Sequence, residues 1–265
     1  MSGVEAGPRG AAGSATVAPT DDEVVTHWLA RCEAALRAGD AVALAALFVP
    51  DGHWRDVLAF TWSITPGEGA SAIAAALVAA QSSTAAHGFA LARGRTPPRR
   101  VPRAGYDVIE ALFDFETRVG RGVGVVRLLV DQPDRAVQLL TTLHELKGHE
   151  EQVGARRPTG GFRHFGGPNW KEVRAAAQAY TDHEPDVLIV GGGQAGLSLS
   201  AVLGRIGVDN LVIDRLPRVG DCWRLRYHAL ALHNDTNYNH LPYLPFPPSW
   251  PIYLPKDMVA DWFET

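Results

Sequence analysis

DVLIVGGGQAG, residues Asp186 to Gly196, decides the fold of the second half of this chain. Val187 to Val190 form a short unbroken apolar run, as a strand buried on both faces requires. Gly191, Gly192, Gly193, Gln194, Ala195 and Gly196 follow at once, and Leu197 to Ile206 then reads as a helix with an apolar face. Strand, glycine turn and helix in that order suit the pyrophosphate of a dinucleotide. Gly191 permits the tight turn, Gly193 lets backbone approach the phosphates, and Gly196 lets the helix pack closely on the strand. The phosphates would meet the first helical turn, where free N–H groups and the helix dipole favour negative charge.

Outward from that stretch, Leu211-Val212-Ile213 supplies a second apolar strand, and it ends at Asp214, 18 residues beyond Gly196. A carboxylate there can bond both hydroxyls of an adenosine ribose, and it disfavours a 2′-phosphate. The unit therefore suits FAD or NAD better than NADP. The chain as a whole has 265 residues, 46% of them apolar, and a formal net charge of −4, which fits a globular protein with a sizeable core. Arg99, Arg100 and Arg103 cluster without interleaved aromatics, so no nucleic-acid partner is expected. Cys32 and Cys222 stand far apart, which implies neither a disulfide framework nor a metal pair. No signal peptide and no membrane-spanning apolar run is read, and a reducing cytoplasmic setting is the expectation.

Residues 1–19 are rich in Gly, Ala, Ser and Pro and are expected to form a disordered tail. Thr20 with Glu23 makes a capping box, after which Val25, Trp28, Leu29, Cys32 and Leu36 fall on one helical face. Gly39 closes that helix, and Asp40 caps a second one running through Phe48. A turn at Pro50-Asp51-Gly52 leads to a strand, His53 to Phe60. Ala70 to Ala80 reads as a helix facing inward through Ile73 and Leu77. After a Pro/Arg-rich loop at Thr96 to Arg103 the period becomes two: Ile109, Ala111, Phe113 and Phe115 mark a half-buried strand. Gly122 to Val130 and Val137 to Leu143 add two more strands. Helices followed by an antiparallel meander make an α+β domain. His53 and Asp56 fall in its first strand. A carboxylate facing a cavity there would serve as a base, whereas the plainer reading has His53 and Trp54 as packing residues, and no catalytic residue is assigned. His144 to His149 spell His-Glu-x-x-x-His, one residue longer than the zinc-protease motif, so a strand end entering a linker is read and no metal is expected. Gly154 to Pro168 looks like a connection, and Trp170 to Tyr180 like one more helix before Pro185.

The segment after Asp214 is the most specific. It contains Arg218-Val219-Gly220-Asp221-Cys222-Trp223, then Arg226-Tyr227, Leu230-Ala231-Leu232-His233, Leu241-Pro242-Tyr243-Leu244-Pro245-Phe246-Pro247, Trp250-Pro251, Lys256-Asp257 and Trp262-Phe263-Glu264. In this order the motifs closely resemble the flavin-containing monooxygenases, in particular the bacterial, fungal and plant branch that includes the indole-pyruvate (YUCCA-type) enzymes. The resemblance covers residues 186–265. It implies FAD as cofactor, NADPH as reductant, a small organic substrate that receives one oxygen atom from O2, and Trp223 and Gly220 near the flavin. Residues 21–146 resemble the cone-shaped nuclear-transport-factor-2-like (SnoaL-like) fold, on element order and the segment LFVPDGHWRDVLAF; proteins of that fold act as isomerases, binding modules or dimerisation devices.

The expected architecture is thus a tail (1–19), a nuclear-transport-factor-2-like α+β cone (20–150), a linker with a helix (151–184), and the N-terminal part of a Rossmann-like α/β FAD domain (185–265). The cofactor-binding residues expected are Gly191, Gly192, Gly193, Gln194, Ala195, Gly196, Asp214, Gly220 and Trp223. The second glycine turn of the monooxygenases, for NADPH, finds no counterpart here, so the chain is expected to be a fragment or truncation, inactive by itself, with a possible homodimer contact in the cone. Two other readings stay open: a different FAD- or NAD-dependent oxidoreductase, and a non-catalytic binding or dimerisation module.

Overall fold

The computed structural model describes residues 18–160 and 165–265. Most of the expected N-terminal tail, and residues 161–164 of the expected linker, lie outside the described residues. The chain divides into two compact units, Met1–Lys147 and Gly148–Thr265.

In the first unit, α1 (Asp21–Ala38) starts from the Thr20–Glu23 capping box and ends on Gly39 in the left-handed region, at φ 66°. Val25, Trp28, Leu29, Cys32 and Leu36 are buried on its inner face. The short α2 (Ala41–Ala45) is capped by Asp40, whose carboxylate accepts the N–H groups of Val42 and Ala43. It stops before Phe48, earlier than the sequence suggests. Phe48 instead opens β1 (Phe48–Val57), with its ring edge-on to Trp28 at 5.9 Å, while the Trp28 indole N–H donates to the Leu47 carbonyl. The expected turn at Pro50-Asp51-Gly52 is absorbed into β1, where the pairing register shifts between Phe48 and His53.

The remaining elements are β2 (Ile64–Glu68), α3 (Ala70–Thr84), β3 (His87–Leu91), β4 (Arg99–Arg103), β5 (Tyr106–Glu116), β6 (Gly120–Leu129) and β7 (Ala136–Leu146). The sheet runs in the order β2-β1-β7-β6-β5-β3, with β4 also paired to β5. The meander β5-β6-β7 is antiparallel, but β1 joins β7 in parallel. Helices α1 and α3 cover one face, where Trp28, Trp54, Phe60, Ile73, Leu77, Phe113 and Phe115 form the core. A second, smaller cluster of Val49, Val108, Leu129 and Val137, with Val101 packed against it, lies outside that core. The Arg-rich segment expected as loop is the strand β4, held by ion pairs: Arg99 and Arg103 to Glu110, Arg100 to Asp21.

The second unit contains α4 (Trp170–Gln178), β8 (Val187–Val190), α5 (Gln194–Arg205), β9 (Asn210–Ile213), α6 (Asp221–Arg224) and α7 (Lys256–Phe263). Strands β8 and β9 pair in parallel, Val187 with Asn210 through Val190 with Ile213. That is the β-α-β order read from the sequence. A separate apolar cluster of Phe246, Leu254 and Val259 gathers Trp223, Leu232, Trp250 and Trp262 around it.

Candidate cofactor site

The glycine turn leaves β8 at Gly191, whose φ of +119° favours glycine and whose N–H donates to the Ile213 carbonyl at 2.7 Å. Gly196 lies one helical turn on. A Cβ there would stand 1.9 Å from the Gly191 carbonyl oxygen, so only hydrogen fits between helix and turn. Gly193 precedes the first helical residue and offers no side-chain cap, so the first N–H groups of α5 are left for a ligand rather than satisfied internally. These are the features that a pyrophosphate-binding turn needs.

Asp214 stands beside the turn. One carboxylate oxygen accepts the Gly192 N–H at 2.6 Å and the other accepts the Leu216 N–H at 2.7 Å. Backbone donors, Leu216 and then Gly192 foremost, hold its carboxyl below the usual range. Asp214 and Gly191 line an open cavity of ≈450 Å³ together with Val190, Ile213 and Arg215.

A second cavity, ≈470 Å³, brings Gln194, Ala195 and Ser198 of α5 opposite Trp223, with His233, Asn234 and Phe246 along its edge. Trp223 is half-buried and also packs on the Phe246–Leu254–Val259 cluster, so it is at once a core residue and a wall. Gly220 lines neither cavity. It is buried at φ +86°, and a Cβ there would meet the Ala260 carbonyl at 2.4 Å; its part in this structure is the close approach of α6 to α7. Around that contact Arg224 donates to Asp221, Asp261 and Glu264, Arg218 pairs with Glu264, and the buried Lys256 ammonium donates to the Arg224 carbonyl at 2.9 Å. Cys222 is half-buried and free, with its thiol pushed up by burial first and then by the charge of Asp214.

Sequence reading missed Ser198, which the helical i, i+4 spacing from Gln194 places on the same face, and His240, whose Nδ1 accepts the Phe246 N–H at 3.0 Å and fixes the proline-aromatic segment. In the first unit, strand alternation separates His53 from Asp56. Asp56 is wholly buried, with its carboxylate accepting from the Phe60 N–H, the Thr61 N–H and hydroxyl, and the Thr141 hydroxyl. It fastens the Leu58–Ser63 turn and faces no cavity with His53.

Residues 184–224 match the family model described as an FAD binding domain. The chain is 40% identical over 81 residues to the indole-3-pyruvate monooxygenase YUCCA1 of rice (Oryza sativa subsp. japonica), a match that spans 30% of this chain and 20% of the relative. Among solved structures it is similar to a mutant flavin monooxygenase from Stenotrophomonas maltophilia, at 30% identity over 30% of this chain and 24% of the other, with a TM-score of 0.28. It is also similar to an NTF2-like protein with a cystatin-like fold from Novosphingobium aromaticivorans, at 19% identity over 46% of this chain and 81% of the other, with a TM-score of 0.32. The chain spans about a fifth of the length of the curated relatives it matches. Among the described residues no helix is long and apolar enough to cross a membrane.

Proposed function

We propose that the chain is the FAD-binding part of an NADPH- and oxygen-dependent flavin monooxygenase that acts on a small organic molecule. The observation that carries this reading is the juxtaposition of the uncapped N-terminus of α5 with Asp214 on one side and Trp223 on the other. The similarity to flavin monooxygenases supports it. Bound FAD would supply the redox chemistry, accepting hydride and activating oxygen. The chain's own residues supply the cradle. The Gly191–Gly196 turn receives the pyrophosphate on backbone N–H groups, Asp214 receives ribose hydroxyls on its carboxylate, and Trp223 walls off the cavity from water. Gly220 acts one step removed, by keeping the Trp223 turn tight against α7. NADPH is assigned to the whole-length protein.

The test is a titration of the purified chain with FAD, followed by flavin fluorescence, with NAD as competitor. One FAD per chain, undisturbed by excess NAD, is expected; preferential binding of NAD would overturn the reading.

The proposal includes a reducing, cytoplasmic setting, supported by the two free cysteines, and a homodimer formed through the first unit. The contact we propose for it is the turn between β1 and β2; in support, Leu58, Trp62 and Ile64 are exposed there on a backbone pinned by Asp56. Sedimentation of the Trp62→Glu variant as a monomer, against a dimeric parent, is the expected outcome.

A further inference from the structure

The face of the seven-stranded sheet turned away from the Trp54–Phe113–Phe115 core carries two rows of side chains that the cofactor reading does not use. Strand register fixes the first row as Glu68, His53, Gln138, Arg127, Glu110 and Arg99, from β2 across to β4. Its right-hand part is closed on itself. Arg127 bonds both Gln138 and Glu110, and Glu110 also takes Arg99 and Arg103. The neighbouring row is Pro66, Arg55, Leu140, Val125 and Leu112, apolar at every position but one.

That exception is Arg55. It rises from β1, an interior strand of the sheet, and has no hydrogen-bond or ion-pair partner among the described residues. Between the two rows lies a groove of ≈720 Å³, floored by Leu140 and Val125 and walled on one side by Pro66, Gly67 and Glu68 of the edge strand β2. This is the volume of a small-molecule site, apolar with a few polar groups. A guanidinium is a planar fork of donors with no acceptor, and its geometry matches a carboxylate. Arg127 cannot serve in the same way, because Glu110 and Gln138 already take its donors. Glu68, directly across from His53 and without an ion-pair partner among the described residues, lowers the positive potential at the rim.

We infer that this groove is a binding site for a small organic carboxylate with a flat apolar body, seated on Leu140 and Val125 and anchored by Arg55. The site lies wholly within the first unit and does not depend on the flavin reading.

The test uses the full chain saturated with FAD, titrated calorimetrically with 1-naphthoate and, separately, with the uncharged 1-naphthalenemethanol. One site per chain is expected for the acid, with the alcohol about tenfold weaker or worse (about 1.4 kcal/mol), since the alcohol loses the charge-assisted hydrogen bonds to Arg55. Arg55→Gln should weaken the acid by about tenfold and leave the alcohol unchanged. Glu68→Gln should tighten the acid, the opposite sign, by removing a nearby like charge. Both side chains are exposed, so circular dichroism of each variant should match the parent. Equal binding of acid and alcohol, indifference of the acid to both substitutions, or no saturable site would overturn the inference. Naphthoate binding that survives without FAD, and keeps its dependence on Arg55, would support it even where the flavin reading fails.

Discussion

A methyl group at position 196 would sit 1.9 Å from the carbonyl oxygen of Gly191, nearer than any two such atoms can approach. Gly196→Ala must therefore push α5 away from β8 or break the turn, and either change removes the aligned N–H groups. Loss of FAD binding by at least about tenfold is expected, read by flavin fluorescence. Gly204→Ala in the same helix is the control. Nothing lies within 4 Å of its Cβ, so it should stabilise the helix by about 0.5–1 kcal/mol and leave FAD affinity as it is. Asp214→Ala makes a separate point. It removes the acceptor for the Gly192 and Leu216 N–H groups as well as the ribose acceptor, so the affinity for FAD should fall by about tenfold or more. Unchanged affinity would detach Asp214 from the site. At this scale the geometry of the strand, glycine turn and helix was legible in sequence, because Gly191, Gly196 and Asp214 act on neighbours within one β-α-β unit. Gly220 was not. Its partner, Ala260, lies on a helix 40 residues later, and nothing in the local pattern announces that contact.

Between elements, Glu110 is the joint of the first unit. From β5 it holds Arg99 and Arg103 of β4 and Arg127 of β6, and these bonds, that of Arg103 foremost, hold its carboxyl down to about 2 against an ordinary 4.5. A depressed carboxylate adds stability that is complete above the ordinary value and is lost as pH falls through the folded one. Unfolding free energies of the parent and of Glu110→Gln from urea titrations should therefore differ at pH 6, by about 1–2 kcal/mol after allowing for solvent screening of the exposed arginines, and converge between pH 4.5 and about 2. A difference that persists below pH 2 would mean that the lost stability is not that of the ion cluster.

The same elements show where sequence reading fell short. Strands β5, β6 and β7 declared themselves by alternation, since each buries one face. Strands β2, β3 and β4 were missed. They read ITPGE, HGFAL and RRVPR, and each is an outer strand that pairs with one neighbour. Proline in β2 and β4 and arginine in β4 belong on such strands because a missing N–H costs nothing on an open edge and charge deters further pairing, while β3 is short and carries a glycine. The composition that makes them good edges is the composition that disguises them as loops. Asp56 was equally hidden, because its donors Phe60, Thr61 and Thr141 come from a turn and a distant strand.

For the whole molecule, the two units carry unequal cores. The first buries Trp28, Trp54, Phe48, Phe113 and Phe115 under two helices. The second has a two-stranded sheet that leaves Leu188 55%, Val190 80% and Ile213 43% exposed, so little of its apolar surface contributes to stability. Its cluster around Phe246, Leu254 and Val259 is small. Heating the full chain in a calorimeter should then give two transitions, with the second unit melting first. FAD binds only one of them on the proposed reading. At a hundred times its dissociation constant it adds about 2.7 kcal/mol to the unit that holds it, which for a unit of this size raises the lower midpoint by several degrees and leaves the upper one in place. If FAD moved the upper transition instead, its site would have to lie in the sheet-and-helix unit and the glycine turn would lose its assignment. If both moved together, the units would be unfolding as one, and the separate cores would not be separate in energy.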